Sequence, residues 1–352
     1  MEPNRRLIIA AILPVILGLI LAHGCKESEK PPAAPAKPAT AAMPTVPLGL
    51  PPVPVPADNP MTAEKVDLGK MLYFDKRLSK NNDIACATCH DPTLAWTEHE
   101  ATSKGMHGQR GDRNSPTVIN AAYMPVQFWD GRAASLEEQA LGPIQNPIEM
   151  GNTMDACLDT LSKISEYQKR FKAVFGSEKL TDKGVAQAIA AFERTVLSGN
   201  SPYDKFKAGQ QNALTEAQKR GMDIFMDKGQ CSTCHSPPTF SNGNYYNAGV
   251  GGNKDPGRKK VTKRDTDAGK FRVPALREVA NTHPYFHDGS AAKLEDAVKP
   301  MASGGIDNPN LSSMLKSVRD AKLTDQDIKD LVVFLGALSG EFPKIEPPAL
   351  PQ

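Results

Sequence analysis

The sequence predicts a mainly α chain folded as two domains of one kind with long functional loops. Three observations carry that prediction. Cys-x-x-Cys-His occurs twice, as IACATCH at 84–90 and GQCSTCH at 229–235. Each copy follows a stretch with the marks of a capped amphipathic helix. Strand signals, meaning alternating apolar runs bounded by turn residues, are few. A length of 352 residues suits two domains.

The elements follow in chain order. Arg5 and Arg6 precede an apolar run from Leu7 to Ala22 that contains Pro14 and Gly18. This has the form of an export signal over 1–24, and it is short for a membrane span, which takes ~20 apolar residues. It ends at LAHGC, a small residue before Cys25, as in a lipoprotein processing site that would lipidate Cys25. Ala22 stands where Leu is usual and His23 is unusual there, so an uncleaved signal anchor is the alternative. Residues 25–60 are Pro/Ala-rich and predict an extended, semi-rigid tether.

Then comes an internal repeat. MTAEKVDLGKMLYFDKRLSKNNDIACATCH resembles LTEAQKRGMDIFMDKGQCSTCH, with Gly69 matching Gly221, Leu72 matching Ile224 and Asp75 matching Asp227. Thr62 and Thr215 stand as N-caps. In MDACLDTLSKI, Met154, Cys157, Leu158 and Leu161 fall at helical spacing. Between the domains, TDKGVAQAIAAFERTVLSG places Val185, Ile189, Phe192 and Val196 on one helix face. LTDQDIKDLVVFLGALSG supplies a closing helix. Thr324 and Asp327 form its capping box, Ile328, Leu331, Val332, Leu335 and Leu338 its stripe, and Gly340 its stop. The expected domains are 61–205 and 206–352, with the last segment free to pack back on the first.

With six Cys and seven His in 352 residues, the rest of a Cys-x-x-Cys-His motif follows a given Cys by chance roughly once in 3,000. Two occurrences point to covalent haem c. Cys86 and Cys89, and again Cys231 and Cys234, would add to the vinyl groups of one haem, and His90 and His235 would be the proximal iron ligands. Zinc would need four ligands from the two motifs together, and neither zinc nor a redox dithiol requires a His after each second Cys. Cys157, left over, reads as a buried small hydrophobe. Haem also replaces apolar volume in a chain with only 6% aromatic residues. Lys+Arg 42 against Asp+Glu 40 leaves no field suited to nucleic acid. A helix leading into Cys-x-x-Cys-His is how a cytochrome c domain opens, and c-type haem is attached outside the cytoplasm.

RNSPTVINAAY, QFWDGRAASLEEQALGPIQNPIEM, FRVPALREVANTHPYFHDGS and LEDAVKPM, in this order between and after the haem motifs, resemble the bacterial di-haem cytochrome c peroxidases from about Thr62 to Gly340. MauG-like oxidases, which modify side chains of a partner protein, share most of these blocks. The resemblance implies a periplasmic enzyme that reduces hydrogen peroxide with electrons from a small cytochrome c or cupredoxin. It implies an N-terminal peroxidatic haem and a C-terminal, high-potential haem ligated by His235 and Met301. MauG-like chains carry Tyr at that last position, so Met301 favours the peroxidase. Glu149 matches the family's acid–base residue, Gln139 a residue of the same pocket, and Trp129 the Trp between the haems. His107, in SKGMHGQRGDRNSPT, is the expected departing ligand of the first haem, with Met106, His99 or an open site as alternatives. Asn114, Thr282 and Pro284 match an inter-domain Ca²⁺ site. His287 matches a structural or propionate-linked position, while His283 is expected to offer only backbone or surface. The family often forms homodimers. A non-enzymatic electron carrier is the remaining alternative, and it would leave Glu149 and the loop at 105–111 idle.

Overall fold

The computed structural model describes residues 45–352. The export signal, Cys25 and the first part of the expected tether lie outside the described residues. The helices are α1 Ala63–Phe74, α2 Cys86–Cys89, α3 Leu136–Gln145, α4 Met154–Ser162, α5 Ser165–Phe175 and α6 Asp182–Glu193, then α7 Pro202–Lys207, α8 Glu216–Asp223, α9 Lys259–Thr262, α10 Leu294–Ala302, α11 Leu315–Asp320 and α12 Asp325–Gly336. Two short strands, β1 Tyr245–Tyr246 and β2 Phe271–Arg272, pair antiparallel. Among the described residues no helix is long and apolar enough to cross a membrane.

Two cores organise these elements. The first gathers Leu68, Leu72, Tyr73, Trp96, Ile189 and Phe192; the second gathers Phe225, Phe240, Leu331, Phe334 and Leu338. Each is built round one helix crossing. Gly69 of α1 lies against Ala188 of α6, and Gly221 of α8 lies against Asp330 of α12. A Cβ on either glycine would collide with that carbonyl oxygen. An aromatic cluster seals each crossing: Tyr73 with Phe192 (centroids 5.1 Å) and Trp96 (5.6 Å), and Phe225 with Phe334 (5.3 Å) and Phe240 (6.0 Å). The caps follow the sequence pattern. Thr62 accepts from Lys65 N, Thr215 pairs with Gln218 and Thr324 with Asp327.

The repeat extends well beyond the haem motifs. Residues 114–141 correspond to 272–299 at a constant offset. Bridges Gln127–Ala133 and Tyr285–Ala291 occupy equivalent positions. Asn120 and Glu278 are both left-handed, as are Phe128 and Phe286 and then Gly131 and Gly289. Two hydrogen bonds cross between the copies at equivalent places: Asn114 N–H to His287 O (2.7 Å) and Arg272 N–H to Trp129 O (2.8 Å).

Three expectations need correction. The helix read as lying between the domains is α6, the closing partner of α1, and it is buried all round from Gly184 to Glu193. The last helix ends at Gly336, not at Gly340; Gly340 is instead pressed on Gly199 O, where Glu341 N–H bonds the Gly199 carbonyl (3.0 Å) and ties the two halves together. Residues 45–60 do not stand off as a tether. Prolines leave carbonyls without a competing N–H, and these accept from Tyr123 (Pro51 O, 2.8 Å) and Arg194 (Pro54 O, 3.3 Å). Arg277, paired with buried Asp204, also reaches Gly49 O (3.0 Å). The C-terminal segment packs on the first core through Phe342, Ile345 and Leu350.

Candidate functional site: two cavities and the wall between them

Each Cys-x-x-Cys-His motif borders a cavity. The first, of about 1280 Å³, exceeds the ~300–1,000 Å³ of an ordinary ligand pocket. His90, Gln139, Asn146, Glu149 and Glu193 line it. The second is lined by Cys231, Cys234, His235 and Met301, with apolar Phe225, Ala297, Val298, Leu331 and Leu335. Asn114, Trp129 and His287 face both. They form the wall: the Trp129 indole N–H donates to Asn114 O (2.9 Å), and His287 stacks on Phe271 (3.7 Å) and meets Trp129 edge-on.

The donor set fits haem c. His235 Nδ1 bonds Phe240 O (3.0 Å), which leaves Nε2 as the nitrogen for iron. Burial pulls the His90 imidazole down to about 4, so it is neutral and able to ligate; among the described residues its buried Nδ1 has no hydrogen-bond partner. Burial pushes the Cys89 and Cys231 thiols up to about 12. That is the reverse of the lowered pKa of a redox dithiol. Cys157 is fully buried in the first core.

On the first cavity, Glu149 follows α3 across an Asn-Pro turn. Asn146 caps that helix, and its side-chain amide donates to Glu149 Oε1 (2.7 Å). Burial raises the Glu149 carboxyl above its ordinary range, opposed by the Asn146 hydrogen bond and the Arg132 charge. The loop at 105–111 is docked on this segment. Met106 N–H reaches Ile148 O (3.1 Å) and Glu149 O (3.0 Å), and Gly105 approaches Ile148 O too closely for any side chain. Met106 is the buried residue of that loop. His107, left-handed and exposed, is not brought to the cavity. His99 also stays away from the cavity, stacked on exposed His283 (4.0 Å) with Nε2 on Asn281 O.

Met301 sits late in α10, one residue after Pro300. Gly304 and Gly305, both at positive φ, turn the chain behind it. Asn114 donates its amide to Glu100 O (2.9 Å), while Thr282 and Pro284 face the second cavity. Among the described residues no group of three His, Cys, Asp or Glu could hold a metal ion.

Three residues of these walls escaped sequence reasoning. Asn146 had a signal, since Asn-Pro marks a turn. Glu193 and Arg272 had none, because a lone charge in a helix or strand reads as solvated surface. Glu193 is buried with Oε2 unpartnered, and burial raises its carboxyl to about 8.

The chain matches the family model for di-haem cytochrome c peroxidase over residues 63–212 and that for cytochrome c over residues 218–339. The cytochrome c551 peroxidase of Nitrosomonas europaea is 38% identical over 303 residues, covering 85% of this chain and 86% of that protein. This chain belongs to the di-haem cytochrome c peroxidase family. The methylamine utilization protein MauG of Methylophilus methylotrophus is 36% identical over 304 residues, covering 85% and 90%. A solved MauG-like protein associated with microbial copper homeostasis superposes with a TM-score of 0.75 at 32% identity, covering 84% of this chain and 95% of that one. The chain is thus an enzyme of this peroxidase family that binds haem c covalently.

Proposed function

We propose that the enzyme reduces hydrogen peroxide to two waters in the first cavity, with electrons entering through the second from a small periplasmic cytochrome c or cupredoxin. The observation that carries this is the unlike chemistry of the two cavities: a carboxyl and amides on the first, a thioether among apolar residues on the second. Each turnover takes two electrons and two protons. Bound haem would supply an iron centre for peroxide reduction at the first cavity and an electron store at the second. His90 and His235 would hold the two irons, and Met301 would also ligate the second, which would raise its potential. Glu149 moves a proton from one peroxide oxygen to the other. Its Oε1 is fixed by Asn146, so Oε2 is the oxygen available for that transfer. Gln139 shapes the pocket, and Trp129 bridges the two cavities.

His107 does not line the first cavity with the loop docked through the Met106 amide, so it would ligate the first iron only after a movement of that loop, and the docked loop would leave the iron open to peroxide. A low-spin signal that survives His107→Gly in the oxidised enzyme would remove this role. An oxygen-only Ca²⁺ site at Asn114, Thr282 and Pro284 belongs to the same reading; calcium retention unchanged by Asn114→Ala would count against it. Export to the periplasm with a lipid at Cys25 completes it, and palmitate labelling of Cys25→Ala equal to the parent would exclude the anchor.

Steady-state turnover tests the whole. The holoenzyme should consume peroxide with a reduced small cytochrome c or cupredoxin in a two-to-one ratio of donor to peroxide. Failure with both donors, alongside peroxide-dependent oxidation of a partner protein's side chain, would favour a MauG-like oxidase instead.

A further inference from the structure

Arg272 stands apart from the other buried arginines. Arg277 grips Asp204 with both terminal nitrogens (2.7 and 2.8 Å). Arg194 holds Glu137, and the half-buried Arg113 holds Asp130 and Asp255. Arg272 is 7% exposed and, among the described residues, has no carboxylate partner. Its side chain makes two long hydrogen bonds, Nε to Phe128 O and Nη1 to Val273 O, both 3.4 Å. Among the described residues Nη2 donates to no atom, and Arg272 lines the second cavity. Tyr245, its register partner on β1, is the ionisable group that acts on it, and burial raises that phenol so that it stays neutral. Burial lowers the guanidinium only to about 10, which leaves it charged at neutral pH.

A buried cation without a counter-charge is costly. Something anionic therefore belongs beside it when the cavity is filled. Haem carries two propionates, and a guanidinium matches a carboxylate fork to fork. The repeat sharpens the point, because the equivalent position on the first half is Asn114, an uncharged residue.

We propose that Arg272 is the charge partner of a propionate of the second haem, and that its cation, acting with Met301, holds that haem's reduction potential above the first's. A fixed positive charge favours the reduced, less positive iron. Arg272 is here a positioning and tuning residue, not a catalytic one. Its backbone N–H on Trp129 O also fastens it to the wall between the cavities. The inference rests on the reading of Met301 as the sixth ligand.

The test is a spectroelectrochemical titration of holoenzyme carrying Arg272→Gln or Arg272→Lys. In Arg272→Gln the second haem's equilibrium constant for taking up an electron should fall about tenfold, which is about 59 mV for one electron. Haem content, the sulfur-to-iron absorption and the first haem's potential should stay as in the parent. Arg272→Lys keeps the charge and should keep most of the potential. A parent-like potential in Arg272→Gln overturns the proposal, and so does an equal fall in both variants. If Arg272→Gln fails to load haem, Arg272→Lys alone decides: a near-parental potential supports the charge, and a tenfold fall overturns it. Absence of the sulfur-to-iron absorption from the parent enzyme would instead remove the Met301 reading.

Discussion

The two halves share a skeleton and differ at a handful of wall positions. Both press a glycine of the entering helix onto the backbone of the closing helix, and both seal that crossing with aromatic rings. Where the first half has Gln139, the second has Ala297. Glu193 faces Leu335 across the repeat, Asn114 faces Arg272, and Trp129 faces His287. Just past α3 stands Glu149, and in the last turn of α10 stands Met301. The attachment motif and the helix packing are thus common to both halves, while a few side chains on the cavity walls differ. Polar, proton-bearing walls suit peroxide; an apolar wall with a thioether suits an electron that must wait.

The strongest way to break this contrast is at Glu149. Glu149→Gln should keep both haems and slow peroxide cleavage by ~10²–10⁴-fold, the usual loss for an acid–base group. Pre-steady-state mixing with peroxide reads it directly, and parental rates would move the proton transfer to another residue. The shared skeleton is tested next. Gly69→Ala and Gly221→Ala should each cost about 1–3 kcal/mol, as overpacking of a tight contact does, and by similar amounts. Denaturant midpoints of the holoenzyme give the comparison. If one half tolerates the methyl freely, its helix crossing is not the fixed element described here.

The last contrast concerns Glu193. Its folded carboxyl is raised to about 8, from an ordinary 4.5. Below pH 4.5 both folded and unfolded chains are protonated there. Between 4.5 and 8 only the unfolded chain ionises, so this residue makes stability fall as pH rises through that window and adds no further slope above it. Glu193→Gln, a mimic of the protonated acid, should flatten the decline. Unchanged pH dependence of the denaturation midpoint would mean that the carboxyl is partnered once haem is bound.

Much of the skeleton was legible in the sequence because it is local. Caps at Thr62, Thr215 and Thr324, and the stripes of α6 and α12, follow from spacing alone. The haem attachment residues follow from one motif. The role of α6 did not, because its partner α1 lies more than 100 residues earlier, and a one-face stripe does not show burial all round. The longer repeat is written in FWDGRAASLE against FHDGSAAKLE; the structure adds the shared backbone handedness of Asn120 and Glu278, which no residue type announces. Residues 45–60 looked like a free tether because proline content reports stiffness and not what the carbonyls touch. His107 looked available because its loop is rich in glycine, yet Gly105 serves a close approach that docks the loop and buries Met106. Glu193 and Arg272 are informative through the partners they lack.

The central claim, one skeleton with two unlike haem environments, is tested most directly by a potentiometric titration of the holoenzyme beside Met301→His. Two well-separated one-electron steps are expected in the parent. Met301→His should lower only the upper one, since imidazole replaces a thioether. Two haems titrating together in the parent, or a Met301→His variant whose upper step stays in place, would contradict it.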